Sequence, residues 1–236
     1  MEHKRITLFA GHYGSGKTNI AVNYALYLAR EGKQVAIADL DIVNPYFRTK
    51  DSAKELSEAG IDLISPQFAN TNVDLPALPA ETYRLVEDRN LFAIMDIGGD
   101  DRGAYALGRY TPAILQENNY RMAFVANPYR PLTRTPEEAL QVMREIEAAC
   151  SLPFTCIVNN ANLAHETTAQ AVLDAADYMA ELSRVSGLPL WLTAAEESVA
   201  AELAGQVDNL LPMQLQEKYF ALPEQKKAGA PRPLFG

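Results

Sequence analysis

The sequence predicts a doubly wound α/β fold: a mainly parallel sheet with helices on both faces. Three observations predict it. Short runs such as Ile6–Ala10 and Phe92–Ile97 are continuously apolar rather than alternating, which is the mark of strands buried on both faces. Segments with apolar residues at near-helical spacing lie between these runs. Strand and helix patterns then alternate along nearly the whole chain, as covered parallel sheets require.

The elements follow in order. Residues 6–10 form the first strand, and a helix over 18–30 carries Ile20, Val22, Ala25, Leu26 and Leu28 until Gly32 stops it. The second strand, 34–38, runs into Asp39-Leu40-Asp41. A short helix over 52–59 closes at Gly60, and 61–64 is the third strand. Pro66, Pro76 and Pro79 exclude regular structure from 65–80. A helix over 81–88 leads to the strand 92–97, which ends at Gly98-Gly99-Asp100-Asp101. Strand 122–126 ends at Asn127-Pro128, and the helix 136–149 has Pro136 in its first turn. Strand 154–158 ends at Asn159-Asn160. An alanine-rich helix over 167–185, a strand over 188–192 and a helix over 196–204 complete the pattern. One domain covers 1–212. Residues 213–236 form an extension or tail, ordered only if docked.

Composition narrows the function classes. A chain of 236 residues supports one sizeable core and is short for two. Its formal net charge of -9, with no long Lys/Arg run, disfavours nucleic-acid binding. Apolar runs are strand-sized, well under the roughly 20 residues of a membrane span. No apolar leader with a cleavage site follows Met1-Glu2-His3-Lys4-Arg5. A cytoplasmic location without stable membrane association is expected. Cys150 and Cys156 lie outside any Cys-x-x-Cys pattern and are expected to be reduced core thiols.

The chemistry concentrates at the ends of strands. Gly11-His12-Tyr13-Gly14-Ser15-Gly16-Lys17-Thr18 fits G-x-x-x-x-G-K-[ST] without mismatch, after a strand and before a helix. Glycines let such a loop turn its N–H groups inward as an anion nest, and the following helix adds its positive end. Lys17 reaches the outer phosphates of ATP and the Thr18 hydroxyl ligates Mg²⁺. Asp39 and Asp41, at the end of the second strand, fall on the phosphate side of an open α/β sheet. One orients Mg²⁺ or its waters and the other positions an attacking water. Asp96, ending an apolar strand, reads as a Walker B carboxylate for Mg²⁺. Arg102 and Arg109 are candidate charge sensors, with an ordinary surface role as the alternative. Asn159-Asn160-Ala161-Asn162 occupies the place where guanine-binding relatives carry N-K-x-D. An Asn amide offers a donor and an acceptor, which suits adenine. ATP is therefore expected rather than GTP, with Thr193-Ala194-Ala195-Glu196-Glu197 closing over the base.

Together these elements resemble the MinD/ParA class of P-loop ATPases (the SIMIBI group). The resemblance rests on the phosphate loop, Val35-Ala36-Ile37-Ala38-Asp39-Leu40-Asp41, Ile94-Met95-Asp96-Ile97-Gly98-Gly99 and Val158-Asn159-Asn160, and spans about residues 5–205. It implies Mg·ATP at the strand C-termini, a nucleotide-dependent homodimer and slow hydrolysis gated by a partner protein. By position, Asp41 matches the water-positioning acid and Asp96 the Walker B acid. His12 stands where the family carries a signature lysine just after the first glycine, and Arg48 is a candidate replacement cation, with an ordinary surface role as the alternative. No cysteine lies between 96 and 149, against an iron–sulfur carrier, and the tail lacks a basic amphipathic anchor.

The expected function is a Mg·ATP-dependent switch ATPase acting on a partner. Lys17 and Asp41 would be catalytic. The output would come from the loops 41–50 and 97–110, where Tyr46, Phe47, Tyr105 and Tyr110 offer a partner surface, with local packing as the alternative. Two alternatives remain. One is an enzyme of the dethiobiotin-synthetase or cobyrinate-amidase type, acting on a small carboxylate. The other is a nucleotide-binding module with negligible turnover.

Overall fold

Ile6, Leu8 and Ala10 join the core on one side of the first strand and Phe9 joins the core on the other, all fully buried. This double burial repeats across the sheet and explains the continuous apolar runs. The structure is a computed structural model and describes residues 2–40, 52–64, 80–98 and 101–215. In order, the elements are β1 (Ile6–Ala10), α1 (Lys17–Arg30), β2 (Val35–Leu40), α2 (Ala53–Glu58), β3 (Asp62–Ile64), α3 (Arg84–Glu87), β4 (Phe92–Ile97), α4 (Asp101–Gly108), α5 (Thr111–Glu117), β5 (Tyr120–Ala126), α6 (Pro136–Cys150), β6 (Cys156–Asn159), α7 (Ala169–Asp174), α8 (Ala176–Ser186), β7 (Leu190–Glu196), α9 (Glu197–Leu203) and β8 (Leu210–Met213).

The strands form one sheet in the order β3-β2-β4-β1-β5-β6-β7-β8, and every described pairing is parallel. One face is covered by α1 and α2 through Ile20, Tyr24, Leu28 and Leu56. The other is covered by α3 to α6 and α8, with Leu85, Leu107, Ile114, Met143 and Leu182. A small third cluster joins α7 and α9 through Val172, Val199 and Leu203. The chain winds outward from β1 to β2 and β3, returns to β4, then crosses to β5 on the other side. That reversal puts a crevice at the carboxyl end of β1, where open α/β sheets bind ligands.

Three stretches differ from the sequence reading. Helices α4 and α5 fill a stretch given no structure; Ala104, Leu107, Thr111 and Ile114 are buried at helical spacing there, and Pro112 sits in the first turn of α5. The predicted helix 167–185 is two helices, because Ala175 (ψ -4) breaks the spiral between α7 and α8. Residues 210–213 form an edge strand, β8, whose Pro212 is tolerated because an edge strand needs only one row of ladder bonds. The boundary expected at 212 therefore falls inside β8, and residues 216–236 of the expected tail lie outside the described residues. Helix α6 starts as predicted: Pro136 is in its first turn, and Thr135 with Glu138 forms a reciprocal cap.

Among the described residues no helix is long and apolar enough to cross a membrane. Cys150 and Cys156 are free and buried. Burial pushes the Cys156 thiol up to about 12 and raises that of Cys150 as well, which makes both poor nucleophiles.

Candidate functional site

The loop between β1 and α1 is shaped by close backbone packing. A Cβ on Gly11 would stand 2.7 Å from the Val125 carbonyl oxygen of β5. Gly16 caps α1 at φ +93, and a Cβ there would collide with Asn160 Nδ2. Only glycine meets both demands. The first turn of α1 holds no acidic residue, so no side chain of that turn offsets the positive end of the helix. Ser15 N donates to His12 O at 3.1 Å, which closes the turn.

The side chains of this loop are ordered by its own backbone. Lys17 is buried, and its Nζ donates to the His12 carbonyl oxygen at 3.2 Å. His12 Nδ1 lies 3.0 Å from the Tyr13 carbonyl oxygen, so the ring turns onto its own loop. Tyr13 is 52% exposed and stands out from it.

The Walker A and Walker B segments meet directly. Thr18 Oγ1 donates to Asp96 Oδ2 at 2.7 Å, across 78 positions of sequence. Asp96 and Asp39 are buried and are register partners on β4 and β2, so a parallel ladder sets both carboxylates beside the loop. These hard oxygen donors suit Mg²⁺, which usually takes one or two protein groups and completes its shell with phosphate and water. Among the described residues no cluster of three or more His, Cys, Asp or Glu is arranged for a metal.

Of the asparagines at the ends of β5 and β6, Asn160 braces the loop and the others tie down their own segments. Asn160 is buried, and its Nδ2 donates to the Ser15 carbonyl oxygen at 2.6 Å. Asn159 Oδ1 accepts from Ala161 N at 3.0 Å, and Asn162 Oδ1 accepts from Ala164 N at 2.8 Å. The described contacts of all three thus run to backbone. Asn127, fully buried after β5, donates from Nδ2 to Asn162 O at 3.0 Å and accepts from Tyr129 N at 3.1 Å through Oδ1. Sequence reasoning passed over Asn127 and the Arg130 beyond it. The signal available was that both follow a strand on the same edge as the phosphate loop.

A cavity of about 460 Å³ opens on this edge, lined by Ala164, His165 and Thr167 after β6, Glu196 to Val199 at the start of α9, and Gln214 and Leu215 after β8. Glu196 caps α9 by accepting from Ser198 N, and Gln214 Nε2 donates to Glu197 Oε1 at 3.2 Å. The segment Thr193-Ala194-Ala195 is buried inside β7 rather than lying over it as a loop.

Other expected residues fall elsewhere. Asp41, Arg48, Tyr46, Phe47 and Gly99 lie outside the described residues, as does the side chain of Arg102. Arg109 is exposed at the end of α4. Tyr110 is not a surface residue: it is 1% exposed and its hydroxyl pairs with Thr82 Oγ1 at 2.5 Å. The α4–α5 packing, unread in the sequence, buries it. Tyr105, at 68% exposure, stays at the surface.

This geometry agrees with what the chain resembles. Residues 6–188 match the family model described as the CobQ/CobB/MinD/ParA nucleotide binding domain. No curated protein matches the chain at a significant level. Among solved structures, the cell division protein FtsY from Thermotoga maritima superposes with a TM-score of 0.53 at 16% identity, over 81% of this chain and 62% of that one. FtsY from Mycoplasma mycoides gives 0.51 at 18% identity, over 80% and 59%. Chloroplast FtsY from Physcomitrella patens gives 0.52 at 15%, over 82% and 59%. The chain spans about three fifths of the length of these structures, and likeness at this identity is one of fold. The eight-stranded parallel sheet, the glycine loop at its switch point and the family match over most of the sequence converge: the chain is a P-loop NTPase-fold protein and belongs to the CobQ/CobB/MinD/ParA nucleotide-binding domain family.

Proposed function

We propose that the protein is a Mg·ATP-dependent ATPase that acts as a nucleotide switch for a partner protein. One observation carries the reading: the hydrogen bond from Thr18 to Asp96, which joins the phosphate loop to the acidic end of β4. Residues so joined would hold Mg²⁺ from one side while ATP holds it from the other. When bound, the ion neutralises charge across the outer phosphates.

The chain's own groups would do the rest. The Lys17 ammonium leaves the His12 carbonyl oxygen and donates to phosphate oxygens. Backbone N–H groups of the loop and the positive end of α1 would hold the phosphates without rearranging during reaction. Asp39 orients the water shell of the ion. Asp41, two residues on, positions the attacking water. Adenine and ribose are assigned to the cavity beside Glu196 and Glu197. A protein partner is supported by the large exposed side chains near the loop: Tyr13 on it, and Leu132, 56% exposed, just beyond Arg130. Family membership supports a nucleotide-dependent dimer as well. Location in the cytoplasm remains part of this proposal.

The test is equilibrium binding and turnover of ATP by the purified protein with Mg²⁺, beside Lys17→Ala. Binding and slow ADP release by the wild type, both lost in the variant, are expected. No binding by the wild type, or an unaffected variant, overturns the reading. Strong stimulation by a small carboxylic acid would replace the switch with a ligase-type enzyme, and tight binding without ADP formation would replace it with a binding module.

A further inference from the structure

A cation unread in the sequence stands against the phosphate loop. Arg130 Nε lies 3.8 Å, and Cδ 4.0 Å, from the position a Cβ would take on Gly14. Gly14 (φ +75) presents only backbone to it. Arg130 Nε is buried without a hydrogen-bond partner, and among the described residues no carboxylate pairs with the guanidinium. A guanidinium is charged at every working pH. Leaving one partly desolvated and unpaired, in a chain of net charge -9 that offers many carboxylates, points to an anionic partner from outside.

The loop that delivers Arg130 is tied down on several sides. Arg130 N donates to Asn127 O at 3.2 Å, and Thr133 N donates to Arg130 O at 3.1 Å. Thr133 Oγ1 donates to Asn127 O at 2.7 Å. Tyr129 OH donates to Ala171 O at 2.7 Å, and Tyr178 OH donates to Thr133 O at 2.8 Å. The backbone of Arg130 is therefore preset. Two more buried polar atoms without partners border the same loop, Ser15 Oγ and Asn160 Oδ1. Such orphaned atoms gather where a polar ligand completes a site.

We propose that Arg130 is a phosphate-binding residue of the nucleotide site, a second cation beside Lys17 supplied by the same chain. The proposal rests on the P-loop site of the previous section. Lys17 is a point charge at the base of the loop. Arg130 brings a planar fork that donates to two phosphate oxygens at once. His12, whose ring is turned onto Tyr13 O, is not needed for that charge.

Arg130→Gln and Arg130→Lys are compared with the wild type and Lys17→Ala. A fluorescent ATP analogue is titrated with Mg²⁺, inorganic pyrophosphate is used as competitor, and melting is recorded with and without ATP. For Arg130→Gln the expected result is an unchanged or raised melting temperature without ligand. At least tenfold weaker binding of both ATP and pyrophosphate and a smaller ATP-induced rise in melting temperature should accompany it. Arg130→Lys should retain part of the affinity. ATP and pyrophosphate affinities equal to wild type overturn the proposal. So does weaker ATP binding with unchanged pyrophosphate, which moves the contact to base or ribose. A lowered melting temperature without ligand, with an unchanged ATP increment, also overturns it by assigning a structural role. If the wild type fails to bind ATP, the nucleotide site itself is lost. If the wild type binds and Arg130→Gln is unaltered, only this assignment falls.

Discussion

Gly16 and Asn160 form a contact whose energy can be isolated by a double-mutant cycle. Gly16→Ala forces an L residue into φ +93 and drives its methyl into Asn160 Nδ2. Left-handed strain costs about 1–2 kcal/mol, and overpacking about 1–3 kcal/mol more. Asn160→Ala strips the buried Ser15 carbonyl oxygen of its 2.6 Å donor, at about 1–3 kcal/mol. The singles thus sum to about 3–8 kcal/mol. The double variant escapes the overpacking, so it should fall only about 2–5 kcal/mol, a coupling of about 1–3 kcal/mol. Urea midpoints at constant m, without nucleotide, measure all four corners. In melting experiments the coupling should be worth roughly 2–12 °C for a chain of this size. Additivity within about 0.5 kcal/mol would refute the argument that Asn160 and Gly16 meet.

Three further perturbations probe the rest of the structure. Arg5 is buried; it donates to the Leu85, Asp88 and Leu91 carbonyl oxygens at 2.9, 3.0 and 3.0 Å and pairs with Glu117, which is also met by Arg89. Arg5→Met should lower stability by about 3–5 kcal/mol in urea, and a loss under about 1 kcal/mol would contradict that role. Thr18→Ala should reduce the gain in ATP affinity on adding Mg²⁺ by roughly tenfold or more, measured against an EDTA control; an equal gain would remove Thr18 from the metal's surroundings. Burial raises Tyr24 from 10.0 to about 12 and Cys156 from 9.0 to about 12. The folded state thus favours their protonated forms, a contribution present below pH 9 and lost as pH climbs from 9 towards 12. The urea midpoint should fall across that window, and a midpoint flat to pH 11 would count against the burial of these two groups.

Much of the architecture was legible because it is written in local patterns. Doubly buried strands leave continuous apolar runs, and the phosphate loop needs a fixed set of residues at fixed spacing. Helices α4 and α5 were less legible. Gly103 and Gly108 interrupt their pattern, and packing on the sheet rather than local propensity forms them. For Tyr110 the sequence left partner surface and local packing open, and contacts with Thr82 and Tyr83, remote in sequence, decide for packing. The asparagines at the end of β6 were expected at the site by position, and the partner of Asn160 was hidden because Ser15 is 145 positions away.

From the chain alone came the fold class, the phosphate loop and the acids at the strand ends, since each depends on residue type and short-range spacing. The tertiary structure decided which distant groups meet: Thr18 with Asp96, Asn160 with Ser15, and Arg130 against Gly14. The reason is physical. A parallel sheet brings the ends of β1, β4, β5 and β6 to one edge in an order unrelated to sequence, and only that order determines which buried polar atoms find partners.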